Sequence, residues 1–327
     1  MKIAIVVPCR DRIDSLHRCV STIEQSIATM ESTSKLAHSV DILVVNDRSN
    51  AGFARTITSL HPKVRVIDAD GIGPGAARNT GLAKADVDIY LLTDSDCVVS
   101  EDWCLTALAW HQNRHSTMAQ GVPWLFQRIQ NPELGAREES LYTHMFSSYI
   151  SDNSTSMTDS RNMMLSREHF DRYPRKVFSE TAADATAESR ILLGEYLEKG
   201  LRIDWWPDLK VFHEDPQDLE AAWRQKYRHG SGRYYLWPYP PPTEFLLNRY
   251  FLSPILADNA PDYVVPAHIA FLIGYREARS QNGLDRSQPN WWRKFHGELL
   301  RRVVRADYWS ERVEDEVCPH IEKIGKQ

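Results

Sequence analysis

The chain has 327 residues, 39 of them basic and 44 acidic, for a formal charge of −5; the length suits about two folding units, and the balance leaves no basic surplus of the kind that marks a nucleic-acid binder. Hydrophobic residues at 42% and charged residues at 25% describe a globular protein rather than a disordered one. The longest apolar runs, such as 264–274, fall short of the roughly 18 residues that a bilayer span needs. A strand-like run follows Met1 directly, where a signal peptide would open on a charged and then an apolar stretch; a soluble, cytoplasmic protein is expected. Cys9, Cys19, Cys97, Cys104 and Cys318 are odd in number and hold no CxxC pair, which argues against a disulfide framework or a zinc ribbon.

The first hundred residues alternate between two patterns. Residues 3–7 (IAIVV), 41–46 (DILVVN), 64–68 (VRVID) and 87–93 (VDIYLLT) are short apolar runs, as expected of strands buried on both faces. Helical spacing fills the gaps at 14–29, 51–60 and 75–84. Such alternation predicts an α/β fold, a Rossmann-like and mostly parallel sheet with flanking helices. Residues 127–158 are polar and poorly patterned; 160–166 (SRNMMLS) reads as a strand and 186–199 as a helix stopped by Gly200. Short strands are expected at 202–206 and 210–213 on either side of Pro207, then a helix from 219 to 229 that ends at Gly230. The run PYPPP at 238–242 changes the organisation. The expected division is a domain over 1–236, in two halves at 1–100 and 101–236, followed by a helical C-terminal extension at 243–327.

In sheets of this kind ligands bind beyond the carboxyl ends of the strands, so the residues after each apolar run matter most. They are Pro8-Cys9-Arg10-Asp11-Arg12, Asp47-Arg48-Ser49, the glycine-rich GIGPGAARNTGLA and Asp94-Ser95-Asp96. A glycine-rich loop at a helix start offers backbone N–H groups to an anion. Two carboxylates one residue apart can hold a divalent cation while phosphates complete its shell. Asp47 can accept from a base or ribose, although Asp11 and Asp47 also suit helix N-caps.

The ordered set IVVPCRDR, VVNDRS, GPGAARNTGL and LLTDSD resembles the nucleotide-sugar-dependent glycosyltransferases of the GT-A fold, family two. SRNMMLSREHF resembles that family's acceptor-side strand, AESRILLGEYLEKG its base-bearing helix, and WWPDLKVFHED its strand ending in a histidine near the metal. The resemblance covers about residues 1–235. It implies an inverting transfer from a nucleoside diphosphate sugar, UDP being the family's commonest choice, with Mn²⁺ or Mg²⁺ as cofactor. Pro8, Arg10, Asp11, Arg12, Asp47, Ser49, Gly75, Arg78, Asn79, Asp94 and Ser95 would then line the nucleotide site, and Asp94, Asp96 and His213 the metal. Arg228 and Arg233, with Lys226 beside them, are candidates for the phosphates, or form a solvated helix face. Asn162 would sit on the acceptor or sugar side. One of Trp205 and Trp206, which point to opposite faces of a strand, would floor the sugar site while the other packs in the core.

The sequence departs from the family at the base. Aligning on Gly200 puts Glu188 and Ser189 where the family has Glu-Asp, so a hydroxyl replaces the usual carboxylate. Glu188 is the expected general base, with Asp184 four residues earlier as the second choice. The acceptor is not legible; it ranges from a small molecule, glycan or peptide to a lipid-linked sugar, and the basic, aromatic stretch 291–309 fits a membrane surface less well than a helix for domain packing or oligomerisation. Two other enzyme classes remain in play. Gly71 to Ala76 fits the G-x-G-x-x-A fingerprint of nicotinamide-dependent oxidoreductases, but after the third strand rather than the first. A sugar-nucleotide pyrophosphorylase would carry its glycine-rich turn directly after the first strand, where this chain has none. An inactive relative of the transferases is the non-enzymatic alternative.

Overall fold

The computed structural model describes residues 1–34, 36–125, 150–155, 158–173, 177–180 and 200–213, and in a second unit 225, 227–232, 271, 274, 275 and 278. The chain forms two compact units, Met1–Glu214 and Asp215–Gln327.

The first unit is built on one sheet. Strands β1 (Lys2–Cys9), β2 (Ser39–Asn46), β3 (Val64–Asp68) and β4 (Ile89–Leu92) alternate with helices α1 (Ile13–Thr33), α2 (Phe53–Leu60) and α3 (Pro74–Lys84). They are followed by β5 (Cys97–Val99), α4 (Trp103–Asn113), β6 (Met118–Leu125), β7 (Ile150–Ser151), β8 (Ser154–Thr155), β9 (Met163–Ser166) and β10 (Asp204–His213). The order is β3-β2-β1-β4-β9-β6-β10-β8-β7, with β5 pairing β10. Strands β3, β2, β1 and β4 are parallel to one another, as the alternation predicted. Strand β9 runs antiparallel to both β4 and β6. The sheet is therefore mixed α/β with flanking helices.

Alternation along β1 divides the core between the two faces. Ile3, Ile5 and Val7 pack with Leu16, Val20 and Ile23 of α1 and with Trp103 and Trp110 of α4. Ala4 and Val6 pack with Ala77 and Leu82 of α3. Helix α3 lies close to β1 and β2 because small residues, Ala77 and Gly81, meet them. A Cβ added at Gly81 would overlap one Val6 methyl and stand 3.1 Å from the other and 3.2 Å from Val45 Cγ2.

Three expected boundaries change. Residues 160–166 split into a 3₁₀ turn at Ser160–Asn162 and a strand that begins at Met163, because the Asp159 carboxylate accepts the Arg161 N–H and caps the turn. The two short strands around Pro207 are one strand, β10, whose register against β6 shifts between Trp205 and Lys210; the exposed proline, lacking an N–H, sits within that irregular stretch. In the second unit Gly230 lies inside a helical stretch, 227–232, rather than ending it. A Cβ there would overlap the Phe271 carbonyl, and one at Gly274 the Tyr227 carbonyl, so these glycines permit a close backbone crossing. Gly200 has φ 80°, a left-handed conformation suited to the helix stop expected there. The helix at 186–199 and the poorly patterned 127–149 lie outside the described residues, as does nearly all of 243–327.

Gly81→Ala tests the close packing of α3. Helix propensity favours alanine by about 1 kcal/mol, but overpacking against rigid valines costs about 1–3 kcal/mol. The expected outcome is a lower midpoint in urea unfolding; an unchanged or higher midpoint would show that α3 can back away from the sheet.

Candidate active site

Strands β1, β2 and β4 deliver their following loops to one edge of the sheet. The loops after β1 and β2 are sharp, with Asp11 at φ 55° and Arg48 at φ 60°, and they are tied together. The Asp11 N–H donates to Ser49 Oγ at 3.0 Å, and the Asn50 N–H donates to the Asp11 carboxylate at 2.7 Å. Pro8 is buried at the end of β1, while Arg10, Asp11 and Arg12 are exposed and Ser49 is half-buried.

Neither Asp11 nor Asp47 caps a helix; the N-cap positions of α1, α2 and α3 make no side-chain cap hydrogen bond. Both oxygens of the buried Asp47 carboxylate accept from the Gly73 N–H at 3.1 Å. Gly73 is the residue before α3, with φ 90° and ψ 169°, a conformation that suits glycine. Asp47 thus sets the shape of the glycine-rich loop from the loop next door. Gly75 is buried in the first turn of α3.

Asp94, Ser95 and Asp96 follow β4. Asp94 pairs with the Arg78 guanidinium, which is 2% exposed. Asp96 pairs with Arg12, and its other oxygen lies 3.4 Å from His213 Nε2 at the end of β10. His213 arrives there because β10 runs antiparallel to β5, with His213 opposite Cys97. Burial alone would raise the Asp96 carboxyl, but the hydrogen bond and charge of His213, with the guanidiniums of Arg12 and Arg161, outweigh it and hold the group below the usual carboxylate range. Beneath this loop burial pushes the thiols of Cys9, Cys19 and Cys97 up. Cys19 Sγ donates to the Asp94 carbonyl at 3.4 Å.

Arg161, which the sequence reading passed over, is brought toward Asp96 by the 3₁₀ turn. Its guanidinium pairs with Asp159, whose backbone is held at both ends by the buried Gln120 side chain. A polar turn before an apolar strand was the only hint in the sequence. Asn162 is fully buried beside it: its Oδ1 accepts from Trp103 Nε1 at 3.1 Å, and its Nδ2 donates to the carbonyls of Val122 at 3.0 Å and Leu209 at 2.8 Å. It fixes the turn and does not face an open acceptor site. Asn79 likewise turns away from the nucleotide loops and binds residues 177–180.

Trp205 and Trp206 are not near the donor loops. They lie at the start of β10, seven or eight residues before His213; Trp205 stands opposite Gln120 and His213 opposite Leu125 on β6, a span of about 17 Å at about 3.3 Å per residue. Trp206 packs on the core. Arg228 is exposed on the helical stretch of the second unit. Arg233, Lys226, Asp184 and Glu188 lie outside the described residues.

The residues at the loop fit a divalent cation shared with a ligand. Among the described residues no three His, Cys, Asp or Glu side chains form a cluster suited to an ion, so the protein would supply Asp96 and His213 and leave the other positions to diphosphate oxygens and water. Their 3.4 Å separation is near that of two neighbouring ligands each about 2.1 Å from one ion. Asp94 is taken by Arg78. Among the described residues no helix is long and apolar enough to cross a membrane.

Comparison with known proteins identifies the family. A family model described as Glycosyl transferase family 2 matches residues 4–173, more than half of the chain. Among solved structures, the chain is similar to the mannosyltransferase PcManGT from Pyrobaculum calidifontis, in complex with GDP-Man and Mn²⁺, with 16% identity and a TM-score of 0.50 over 99% of this chain and 85% of that one. It is also similar to S. aureus TarS 1–349 in complex with UDP-GlcNAc, with 14% identity and a TM-score of 0.47 over 88% and 93% of the two chains. No curated protein matches the chain.

Proposed function

The chain belongs to glycosyl transferase family 2 and is a glycosyltransferase; from that premise we propose that it is metal-dependent and inverting, moving a sugar from a nucleoside diphosphate donor, UDP first among the candidates, to an acceptor nucleophile by single displacement. The observation that carries this reading is the Asp96 carboxylate between Arg12 and His213, beside the Asp94–Arg78 pair.

In this reading the Asp47 carboxylate and the loop it shapes receive the nucleoside. Asp96 and His213 hold the cation, which when bound supplies positive charge to the leaving diphosphate. Arg12, whose side chain is exposed, can turn from Asp96 to a phosphate oxygen. Glu188, or Asp184 behind it, takes the proton from the acceptor as it attacks the anomeric carbon. The chain's share of the rate is then mostly position and fixed charge.

The deciding experiment is a panel of UDP-, GDP- and dTDP-sugars scored by thermal shift and donor hydrolysis, with and without Mn²⁺. GDP belongs in it because the mannosyltransferase of like fold binds GDP-Man with Mn²⁺. A shift with nicotinamide cofactors and none with any nucleotide sugar would overturn the reading.

Chelation is expected to abolish turnover, and Asp96→Asn to do the same while the protein still unfolds cooperatively; full activity in excess EDTA would count against the cation. Asp47→Ala should weaken nucleoside diphosphate binding by about tenfold or more, the scale of a lost charged hydrogen bond, as read by calorimetry. Unchanged affinity would leave Asp47 as a loop-shaping residue only. Glu188→Gln should lower turnover about 100-fold or more with donor affinity intact; if Asp184→Asn does this instead, the base is Asp184.

A further inference from the structure

Asn79 holds a segment almost a hundred residues away, and all four bonds of its amide go there. Its Oδ1 accepts the N–H groups of Val177 at 2.9 Å and Phe178 at 3.0 Å. Its Nδ2 donates to the Phe178 carbonyl at 2.8 Å and to the Glu180 carboxylate at 2.9 Å. That uses both lone pairs and both N–H donors of the amide. The preceding residue, Arg78, stands with its guanidinium carbon 5.5 Å from the Phe178 ring centroid while it pairs with Asp94. Arg78, Asn79, Val177 and Phe178 are each at most 5% exposed, so the contacts among these four are desolvated, while Glu180 reaches the amide from an exposed position.

Glu180 is four residues before Asp184 and eight before Glu188. We propose that Arg78 and Asn79 form a clasp that positions the chain entering 181–199, where the acceptor-side carboxylates lie, relative to the Asp94–Asp96 loop. Asn79 is then a positioning residue for acceptor activation and not a nucleotide contact. The proposal rests on the donor-site reading given above. Consecutive helix positions point about 100° apart, so one turn of α3 grips the donor loop with Arg78 and the acceptor-side segment with Asn79. A glutamine or histidine at position 79 would not reproduce four bonds to one short segment, and an alanine would orphan two N–H groups and a carbonyl in the interior.

The test uses the full chain and Asn79→Asp, which keeps the two accepted bonds and sets an oxygen against the Phe178 carbonyl and Glu180. UDP and GDP binding with Mn²⁺, turnover by hydrolysis of the nucleotide sugar that the wild type accepts, and amide hydrogen exchange at 177–180 are measured together. The expected result is nucleoside diphosphate affinity within about twofold of wild type and turnover at least tenfold lower. Adding Glu180→Gln to Asn79→Asp, which faces the new carboxylate with an N–H donor, should recover part of that loss; a merely structural tie would not produce this rescue. Phe178→Leu, which keeps the packing and removes the ring beneath Arg78, serves if Asn79→Asp does not fold, and should show the same split. Affinity lost in step with turnover would make Asn79 a nucleotide contact, and unchanged turnover would make the clasp structural only; either overturns the proposal. If the wild type binds and hydrolyses no nucleotide sugar, the functional reading fails by itself. Hydrogen exchange then judges the clasp: faster exchange at Val177 and Phe178 in Asp94→Asn supports the link through Arg78, and unchanged exchange overturns it.

Discussion

A guanidinium that is 2% exposed cannot be left uncompensated in the protein interior, because desolvating an unpaired charge costs several kcal/mol. Arg78 is in that position, and Asp94 is the carboxylate that answers it. The rest of the site is arranged around this pair. Helix α3 brings Arg78 in from one side of the sheet, β4 delivers Asp94 from within it, and Phe178 closes over the guanidinium from a segment 99 residues on from Asn79 in the chain. The parallel strands make this convergence possible, since they end together at one edge.

The second carboxylate of the loop has a different situation. Asp96 is paired with an arginine whose side chain is 57% exposed, so its partner can leave into water at little cost. The same carboxylate faces His213, and it is held ionised although it is mostly buried. One aspartate is thus locked by a buried partner, and the other stands between a buried histidine and an exposed arginine that can leave. Two residues apart in sequence, they share a loop and differ in what surrounds them.

Much of the fold was legible because buried parallel strands leave an unmistakable pattern. The runs at 3–7, 41–46, 64–68 and 87–93 all fall on strands β1 to β4, and the residues after three of them form the site edge. What the sequence could not carry is the partner of an uncharged amide. Asn79 and Asn162 sit in motifs that suggest ligand contact, yet their partners lie 98 to 101 residues away for the first and 40 to 59 for the second. Nothing local distinguishes an asparagine that binds a nucleotide from one that holds two segments together. A strand's direction likewise decides which of its ends reaches the ligand edge, and Trp205 and Trp206 lie at the other end of β10 from His213.

Gly121 shows how closely these buried amides constrain the chain. A Cβ there would stand 2.7 Å from the Leu209 carbonyl and closer still to the Asn162 amide. A side chain at 121 would therefore break the bond from Asn162 to Leu209 and loosen the turn that carries Arg161. Strand β6 thereby helps to fix where the Arg161 guanidinium arrives near Asp96. The glycine matters through the space it leaves for an asparagine, and the asparagine through the arginine beside it. Position in the site is set two residues removed from the charges that act there, which is why a residue with no side chain at all belongs among those that shape it.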